Sequence, residues 1–327
     1  MTPITITQLA YIVAVDDHRN FSTAADHCCV TQPTLSMQIK KLEDDLGVTI
    51  FDRSYQPVIP TDLGARLIEQ ARLVLASTRR LQEIINEDKQ EINGTLRLGI
   101  IPTLAPYLLP AFISRYTRQH PKVRLEIEEL PSAEIITRLK RDTLDAAIFV
   151  TPYRDEKIIT IPILYENLLL YAHPDHQLLR QKNIDPTHLD PADMWILGEG
   201  HCFRDQTLNL CQTTPAATRA RPFTFEGNSI HTLLKIVDAE GGFTIIPQLA
   251  ARELPPEKQN QLRPFNTYNP TRETSIIYSR HHTKHKLIAL LREELRAIIP
   301  PEMQHLDSGS TIVEWQTPDT PPKKQKP

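Results

Sequence analysis

The segment His201-Cys202-Phe203-Arg204-Asp205-Gln206, followed by Cys211, carries the residues of this chain that are best suited to chemistry. It places a thiol between an imidazole and a guanidinium, and neighbouring positive charge lowers a thiol pKa below its free value of roughly 8.5. A second thiol within reach can trap an oxidised first one as a disulfide before it over-oxidises. The segment therefore predicts a redox-responsive pair of thiols.

The spacing of the two cysteines bears on how such a pair would work. If residues 202–211 form a helix, nine steps of about 1.5 Å put the two α-carbons roughly 13 Å apart. A disulfide tolerates at most about 7 Å, so closing the bond would force the segment to refold, as a switch requires. The alternative is that both cysteines are buried hydrophobes that never pair. Asp205 would also offset part of the positive field of Arg204.

Length and composition limit the class of protein. A chain of 327 residues is too long for one ordinary core, so two or three domains are expected. Hydrophobic residues at 40% and charged residues at 24% are typical of a soluble globular protein. No apolar run approaches the roughly 20 residues of a membrane span, and residues 1–17 fit neither a signal nor a transit peptide. Four cysteines without a secretion signal indicate a reducing compartment, the cytoplasm.

The first sixty residues have the spacing of short helices around a tight turn. Ala24 and Ala25 are small enough to let two helices cross closely, and Thr31 and Pro33 suit the start of the next helix. Helix, turn and helix is the layout of a DNA-reading unit. The second helix would expose the residue types that meet base edges and phosphates, namely Gln32, Thr34, Ser36, Gln38 and Lys40.

The charge of this part is unfavourable for DNA binding. Residues 1–60 hold four basic and seven acidic residues, a balance of 4 − 7 = −3. DNA-binding domains are usually basic. Binding would require Lys40, Lys41 and Arg53 to cluster on one side, with the acidic residues turned away.

A long helix is predicted from Thr61 to about Asn93, followed by alternating strands and helices. Its apolar positions alternate steps of four and three, as in a coiled coil: Leu67, Ala71, Val74, Thr78, Leu81 and Ile85. Such a seam needs a partner, most simply a second copy of the chain, or the body of the same chain. The alternation from Thr95 onward favours an α/β domain with mostly parallel sheets.

The remaining segments give weaker signals. Residues 301–327 are polar and proline-rich and are predicted to be disordered. The run His27-Cys28-Cys29 and the group His281, His282 and His285 contain common metal ligands, but neither has a recognised four-ligand spacing. We predict no metal and no cofactor.

Several motifs resemble those of LysR-type transcriptional regulators. In the first 65 residues these are Phe21-Ser22-Thr23-Ala24-Ala25, Thr31-Gln32-Pro33-Thr34-Leu35-Ser36, Ile39-Lys40-Lys41-Leu42-Glu43, Leu46-Gly47-Val48, Ile50-Phe51-Asp52-Arg53 and Thr61-Asp62-Leu63-Gly64. Two later segments, residues 99–110 and 200–211, resemble the OxyR-like, hydrogen-peroxide-sensing members of that family. The resemblance extends from residue 4 to about residue 298.

The resemblance implies an all-α N-terminal part and an α/β remainder. It implies a winged helix-turn-helix at residues 1–60, whose wing is roughly 51–60, and a linker and dimerisation helix at 61–93. A two-lobed regulatory domain like a periplasmic binding protein would occupy residues 94–300, with lobes at about 94–167 plus 269–300 and at 168–268. Expected partners are promoter DNA, a second copy in a homodimer that pairs into a homotetramer, RNA polymerase, and a thioredoxin- or glutaredoxin-type reductant. No membrane partner is expected.

The resemblance also implies roles for individual residues. Cys202 would be the peroxidatic cysteine and Cys211 its resolving partner. The peroxide site would be formed by Thr103, Ser132, His201, Arg204, Asp205 and Arg280, where Ser132 takes the place of a threonine in relatives. DNA contacts would come from Gln32, Pro33, Thr34, Ser36, Gln38, Lys40, Lys41 and Arg53. Apart from the resemblance, Thr103 could be a plain helix N-cap.

The expected function is a cytoplasmic DNA-binding activator of oxidative-stress genes that senses hydrogen peroxide through a Cys202–Cys211 disulfide, and not an enzyme. One alternative keeps the regulator but places a small metabolite in the cleft between the lobes, with idle cysteines. Another is a thiol peroxidase that uses the same two thiols.

Overall fold

The computed structural model describes residues 4–88, 93–213, 227, 229–265, 269–281 and 284–315. These residues divide into an N-terminal unit, which is built on the first four helices, and a C-terminal unit, which contains the later helices and strands. None of the helices described is long and apolar enough to cross a membrane.

The N-terminal unit contains the predicted helix-turn-helix. Its elements are α1 (Ile6–His18), α2 (Phe21–His27), α3 (Gln32–Leu46), β1 (Phe51–Asp52), β2 (Ile59–Pro60) and α4 (Asp62–Asp88). The Thr31 side chain caps α3 by accepting the Thr34 N–H, as the sequence predicts. Leu35, Ile39 and Leu42 face the core, so the polar residues of α3 are left on its other side.

The wing is tied to the start of α4 by a close approach of two backbones. β1 and β2 pair antiparallel, and the Thr61 hydroxyl donates to the Thr49 carbonyl and accepts from Gly64 N–H. A Cβ on Gly64 would lie 2.0 Å from the carbonyl oxygen of Ile50, so only glycine fits there. The base of the wing therefore has a fixed position on the helical core.

The predicted seam of α4 is divided between two environments. Leu67 and Ala71 pack into the core of their own unit, against α1, whereas Leu81 is 64% exposed. The side chain of Ile85 lies outside the described part of the structure. The first turns of the seam are thus covered by α1 of the same chain. A dimer contact stays a prediction for the later turns of α4 only.

The C-terminal unit is built around an eight-stranded sheet. Its elements are β3 (Gly94–Ile100), α5 (Ala105–Gln119), β4 (Val123–Glu129), α6 (Ser132–Lys140), β5 (Ala146–Thr151), β6 (Ile158–Ala172), α7 (Cys202–Leu210), α8 (Ile230–Glu240), β7 (Phe243–Pro247), α9 (Gln248–Arg252), β8 (Leu262–Arg263), β9 (Asn269–Ser279), α10 (His285–Ile298) and β10 (Ser310–Ile312). The strand order is β4-β3-β5-β9-β6-β7, with β10 beside β9 and β8 beside β6.

The expectation of mostly parallel sheets is wrong for this unit. β3 is parallel to β4 and to β5, but β9 is antiparallel to β5 and to β6, and β7 and β8 are antiparallel to β6. The long strands β6 and β9 carry the chain between two cores, and strands that run out and back must lie antiparallel.

Two separate hydrophobic cores lie on this sheet. The first core is formed mainly by residues 96–164 and 276–299, and the second mainly by residues 168–265. β6 and β9 pair from Ile158 with Ser279 to Asn167 with Thr271, so they connect both cores. This pairing places side chains of β9 between the cores.

The prediction of disorder for residues 301–327 is wrong for residues 301–315. Met303 and Trp315 are buried in the first core and Val313 in the second, while β10 pairs parallel with β9. The apolar residues Ile312, Val313 and Trp315 give this polar segment enough surface to bury. Residues 316–327 lie outside the described residues.

Candidate functional site

Helix α7 carries one cysteine at each end. Cys202 is its first residue, directly after the N-cap position of His201, and Cys211 occupies its C-cap position. Gly200 precedes the helix with φ +85°, a left-handed conformation that suits glycine at this turn. Both thiols are free and buried, and they belong to different cores: Cys202 to the first and Cys211 to the second.

The Cys202 thiol has polar partners although it is only 3% exposed. Burial raises its pKa above the ordinary value, and the nearby carboxylate of Asp205 acts in the same direction. Three groups oppose that rise: a hydrogen bond with the Ser132 side chain, the positive charge of Arg272, and a hydrogen bond from the Phe203 N–H. The position at a helix N-terminus also favours the thiolate.

Arg272, the fourth residue of β9, is the cation whose charge favours the Cys202 thiolate. It is fully buried, and its guanidinium lies over the ring of Phe203 at 5.2 Å from the centroid. Its Nη1 donates to the Thr103 hydroxyl at 3.1 Å, and its Nε donates to Glu166 Oε1 at 2.9 Å. The other oxygen of Glu166 accepts from Leu249 N–H at 3.0 Å, so each carboxylate oxygen has a donor.

Thr103 and Ser132 are brought to the same pocket from the ends of two strands. Thr103 follows β3 and Ser132 begins α6, and both are buried. Leu104, not Thr103, is the N-cap of α5, so the hydroxyl of Thr103 is not used as a helix cap. It contacts Arg272 instead, which places both predicted hydroxyl residues around Cys202 and its cation.

The three predicted residues that flank Cys202 differ in what they contact. His201 is buried at the N-cap position of α7 and makes no capping bond with its side chain. Arg204 is buried and donates to the carbonyl of Leu197 at 2.6 Å. Burial raises the pKa of Asp205, and the positive charge of Arg204 opposes that rise. A less ionised Asp205 disfavours the thiolate less.

The structure does not place Arg280 in this pocket. Arg280 follows β9, is exposed, and donates to the Glu156 carbonyl at 2.7 Å. It is eight residues beyond Arg272, which corresponds to roughly 26 Å along a strand. The residue that sequence reasoning missed is therefore Arg272. Arg272 gives no clear signal in the sequence, because its neighbours in β9 are also polar or charged and its partner Glu166 is more than a hundred positions away.

Cys211 has surroundings of the opposite kind. Burial raises its pKa to about 12, and Met194 provides a sulfur contact at 3.9 Å. The rest of its neighbourhood in the second core is apolar. This thiol is held protonated and hidden while α7 is folded.

The predicted DNA-binding residues lie along the N-terminal half of α3 and at the wing. Gln32, Pro33, Lys40 and Lys41 are exposed, and Thr34, Ser36 and Gln38 are half-buried. Arg53 lies over the Phe21 ring, donates to Ser36 at 3.3 Å and pairs with Glu43 at 3.2 Å. The guanidinium is thereby held against the polar side of α3.

Three of the seven acidic residues in residues 1–60 form ion pairs within the N-terminal unit. Asp16 and Asp17 both pair with Arg72 of α4, at 2.8 Å and 2.6 Å. Glu43 accepts from Ile50 N–H and Phe51 N–H in addition to Arg53. These pairs account for three of the seven acidic residues, while Asp44 and Asp45 are exposed on α3 four positions after Lys40 and Lys41.

Metal-ligating residues do not converge in the part of the chain that the structure describes, where no group of three or more suitable side chains is found. His18 and His27 have ring centroids 4.9 Å apart, and Cys28 packs partly into the N-terminal core. His282 lies outside the described residues.

Family models match nearly the whole described fold. Residues 6–65 match the bacterial regulatory helix-turn-helix protein, lysR family, and residues 89–299 match the LysR substrate binding domain. A hydrogen peroxide-inducible genes activator from Haemophilus influenzae is 34% identical over 84% of this chain and 90% of that protein. The DNA-binding transcriptional dual regulator OxyR of Escherichia coli K12 is 33% identical over 89% of this chain and 95% of its own.

Solved structures agree with the sequence matches. A full-length OxyR from Pseudomonas aeruginosa, in which one cysteine is replaced by aspartate, has a TM-score of 0.74 and 32% identity, and the match covers 90% of this chain and 98% of that one. An OxyR from Porphyromonas gingivalis has a TM-score of 0.63 and 29% identity, covering 68% of this chain and 100% of that one. The resemblance noted in the sequence and the predicted fold class are confirmed, and this chain belongs to the LysR family of DNA-binding transcriptional regulators.

Proposed function

We propose that this regulator senses hydrogen peroxide through a reversible Cys202–Cys211 disulfide and controls genes of the oxidative-stress response. The observation that carries the proposal is the setting of Cys202, a buried thiol in contact with three groups that favour its thiolate. Relatives named as hydrogen peroxide-inducible genes activators, similar over most of their length, support the choice of oxidant.

The first step is attack of the Cys202 thiolate on one oxygen of hydrogen peroxide. The O–O bond breaks, a sulfur–oxygen bond forms, and the departing hydroxide takes up a proton to become water. The thiol is oxidised to sulfenic acid and the peroxide is reduced. Hydrogen-bond donors and positive charge near the departing oxygen lower the barrier to attack. In this proposal they come from the hydroxyls of Ser132 and Thr103, the N-terminus of α7 and the charge of Arg272.

The second step joins the two ends of α7. The Cys211 thiol attacks the sulfur of the Cys202 sulfenic acid, a disulfide forms, and water leaves. Because the ends of the folded helix are roughly 13 Å apart and the bond needs less than about 7 Å, α7 must unwind first. Because the two thiols belong to different cores, at least one must leave its core, which couples oxidation to packing.

Reversal of the switch requires a dithiol. A thioredoxin- or glutaredoxin-type reductant would exchange its own thiols for the disulfide and return both cysteines to the reduced state. The four free cysteines of the chain are in keeping with a reducing compartment, and we propose that the protein acts in the cytoplasm.

The output is a change in how paired DNA-binding heads meet a promoter. We propose that α3 enters the major groove with the exposed residues of its N-terminal half, and that Arg53 of the wing contacts the backbone. The exposed later turns of α4, which include Leu81, would form the homodimer, and two dimers would form a tetramer. Refolding of α7 would alter the spacing of the heads and their contact with RNA polymerase.

The test is a footprint on promoter DNA with reduced and peroxide-treated protein at one fixed salt concentration. The wild-type footprint should change on treatment, and the Cys202→Ser variant should bind DNA with a footprint that peroxide does not alter. Mass spectrometry of the same samples should show the 202–211 disulfide in treated wild type only.

Two results would replace the proposal with an alternative. A metabolite that binds saturably and alters the footprint of a cysteine-free variant would remove the cysteines from sensing and favour a ligand in the cleft between lobes. Repeated turnover of peroxide with a thioredoxin-type reductant, without any change of the footprint, would indicate a thiol peroxidase.

A further inference from the structure

The segment of residues 310–315, the C-terminal strap, is fixed on both cores of the C-terminal unit. β10 runs beside β9 in parallel register, and Val313 N–H donates to the Thr271 carbonyl at 2.9 Å. Val313 is buried in the second core. Trp315 is buried in the first core, where its ring lies 5.4 Å from that of Phe149 and its Nε1 donates to the Val150 carbonyl.

Helix α7 is tied to this strap by two of its side chains. Gln206 donates through Nε2 to the Val313 carbonyl at 2.8 Å, and Asn209 donates through Nδ2 to the Glu314 carbonyl at 2.9 Å. The two residues are three positions apart and therefore share one face of the helix. Two consecutive carbonyls of the strap are thus held by consecutive turns of α7.

Gln206 makes this contact from a buried position, although burial of a polar amide is unfavourable. The residue is completely buried, and its Oε1 has no hydrogen-bond partner in the described part of the structure. Burying an amide is unfavourable unless it is hydrogen-bonded, and the bond that its Nε2 makes to the strap offsets part of this cost. The contact with the strap is what the amide contributes there.

We propose that the C-terminal strap is a clasp that holds α7 in its helical form and thereby sets the rate at which the disulfide closes. The inference rests on the proposed function and specifies its regulation. Unwinding α7 moves Gln206 and Asn209 away from their carbonyls, so the disulfide cannot close without releasing the clasp. Formation of the sulfenic acid leaves α7 folded, so the clasp acts on the second step alone.

The clasp also determines what happens to the sulfenic acid. While α7 stays helical, Cys202–SOH can react with a second hydrogen peroxide to give sulfinic acid and water. A clasp that holds α7 more strongly lengthens the time during which the sulfenic acid can react with a second peroxide. A weaker clasp favours condensation with Cys211 and loss of water.

The test uses the full-length protein with Gln206→Met, which keeps the length of the side chain but removes its donor, and Asn209→Ala. Asn209 is exposed, so its variant tests the clasp without disturbing a core. Gln259→Met is the matched control, because Gln259 donates to two backbone carbonyls of the second lobe, Ala251 and Leu254, and not to the strap.

Two measurements distinguish the clasp from a structural role. After one pulse of hydrogen peroxide, quenched samples are analysed by mass spectrometry for sulfenic acid trapped by dimedone and for the disulfide. Losing one such hydrogen bond should speed disulfide closure by about 5–10-fold in Gln206→Met, with less effect in Asn209→Ala and none in the control. The rate of sulfenic acid formation should be the same in all four proteins.

Hydrogen exchange gives the second measurement without peroxide. In the reduced protein, amides of residues 204–211 should exchange faster in both clasp variants than in wild type and in Gln259→Met. Unchanged closure rates and unchanged exchange of α7 in both variants would overturn the clasp. Absence of any disulfide in wild type after peroxide would instead overturn the proposed function, and the exchange of α7 would still decide whether the strap holds the helix.

Discussion

The two ends of helix α7 hold the same functional group in opposite surroundings. At the first end, Cys202 meets a hydroxyl, a backbone N–H and a buried guanidinium, although burial still raises its pKa. At the other end, Cys211 has apolar neighbours and a methionine sulfur, and burial alone raises its pKa to about 12. Both residues are almost fully buried, so exposure does not distinguish them.

The difference assigns a role to each thiol. A reaction with peroxide needs a thiolate and donors for the leaving oxygen, and only the Cys202 end of the helix offers them. The Cys211 end keeps its thiol protonated and out of reach until the helix unwinds. This contrast supports the proposed division between a sensing and a resolving thiol, and the length of the folded helix keeps the two thiols apart.

The largest expected effect comes from removing each thiol in turn. In Cys202→Ser, peroxide should produce no sulfenic acid at positions 202 and 211, because serine is not oxidised and Cys211 has no group that stabilises its thiolate. In Cys211→Ser, sulfenic acid should form on Cys202 and persist, because its resolving partner is gone. Dimedone labelling followed by peptide mass spectrometry measures both.

Labelling of Cys211 in the Cys202→Ser variant, at a rate near that of Cys202 in the wild type, would remove the distinction between the two ends. Pretreatment of both variants with a reductant, followed by removal of that reductant, controls for oxidation during purification.

A second large effect should follow from Arg272, which supplies the positive charge at the Cys202 end. Arg272→Met leaves Glu166 buried without its cation, and breaking a buried pair in this way costs about 3–5 kcal/mol of unfolding free energy. Urea unfolding, followed by the fluorescence of the two tryptophans of the C-terminal unit, measures this loss.

The double variant Arg272→Met, Glu166→Gln separates stability from reactivity. Neutralising Glu166 should restore part of the unfolding free energy, while oxidation of Cys202 should stay slow because the charge that favours its thiolate is still missing. If oxidation recovered together with stability, Arg272 would have only a structural role.

The sequence was sufficient for some parts of this arrangement and not for others. The helix-turn-helix follows from local signals, such as the Thr31 cap and the apolar spacing of α3. A helix over residues 202–211 entered the sequence argument only as a condition, and the structure forms it as α7. The hydroxyls of Thr103 and Ser132 were found through the family resemblance. Their meeting at Cys202 depends on three separate chain segments and is not visible in any local pattern.

The misassigned arginine shows where sequence reasoning fails. Arg272 and Arg280 both belong to the region of β9, and only the antiparallel register of β9 with β6 places Arg272 opposite Glu166. Register is set by packing of the whole sheet rather than by nearby residues. The strap was missed for a different reason, because the polar composition of residues 301–327 outweighed the short apolar run at Ile312, Val313 and Trp315.

A smaller effect is expected from Ser132, which contributes one hydrogen bond to the Cys202 end. Ser132→Ala removes a bond that stabilises the thiolate, so the pKa of Cys202 should rise further. Oxidation by peroxide at neutral pH should be about tenfold slower, which corresponds to one hydrogen bond to a charged group. Stopped-flow oxidation rates measured across a pH series give both quantities.

Ser132→Thr keeps the hydroxyl and serves as the matched variant, with a rate close to that of the wild type. A Ser132→Ala protein with an unchanged rate and pH profile would show that the hydroxyl contributes nothing to the thiolate.

The smallest effect concerns the apolar end and appears only at alkaline pH. The pKa of Cys211 is raised from 9.0 to about 12 in the folded protein, so above pH 9 the unfolded chain ionises this thiol while the folded chain does not. The contribution of this one group to the free energy of unfolding is therefore fully present below pH 9 and falls as the pH rises. The loss is about 0.8 kcal/mol between pH 7.5 and 9.5. Between the same two pH values, the free energy of unfolding of Cys211→Ala should fall by about 0.8 kcal/mol less than that of the wild type, measured in a phosphine reductant. Parallel pH profiles for the two proteins would mean that water reaches Cys211 in the folded state, and the contrast between the two ends of α7 would then depend on the donors around Cys202 alone.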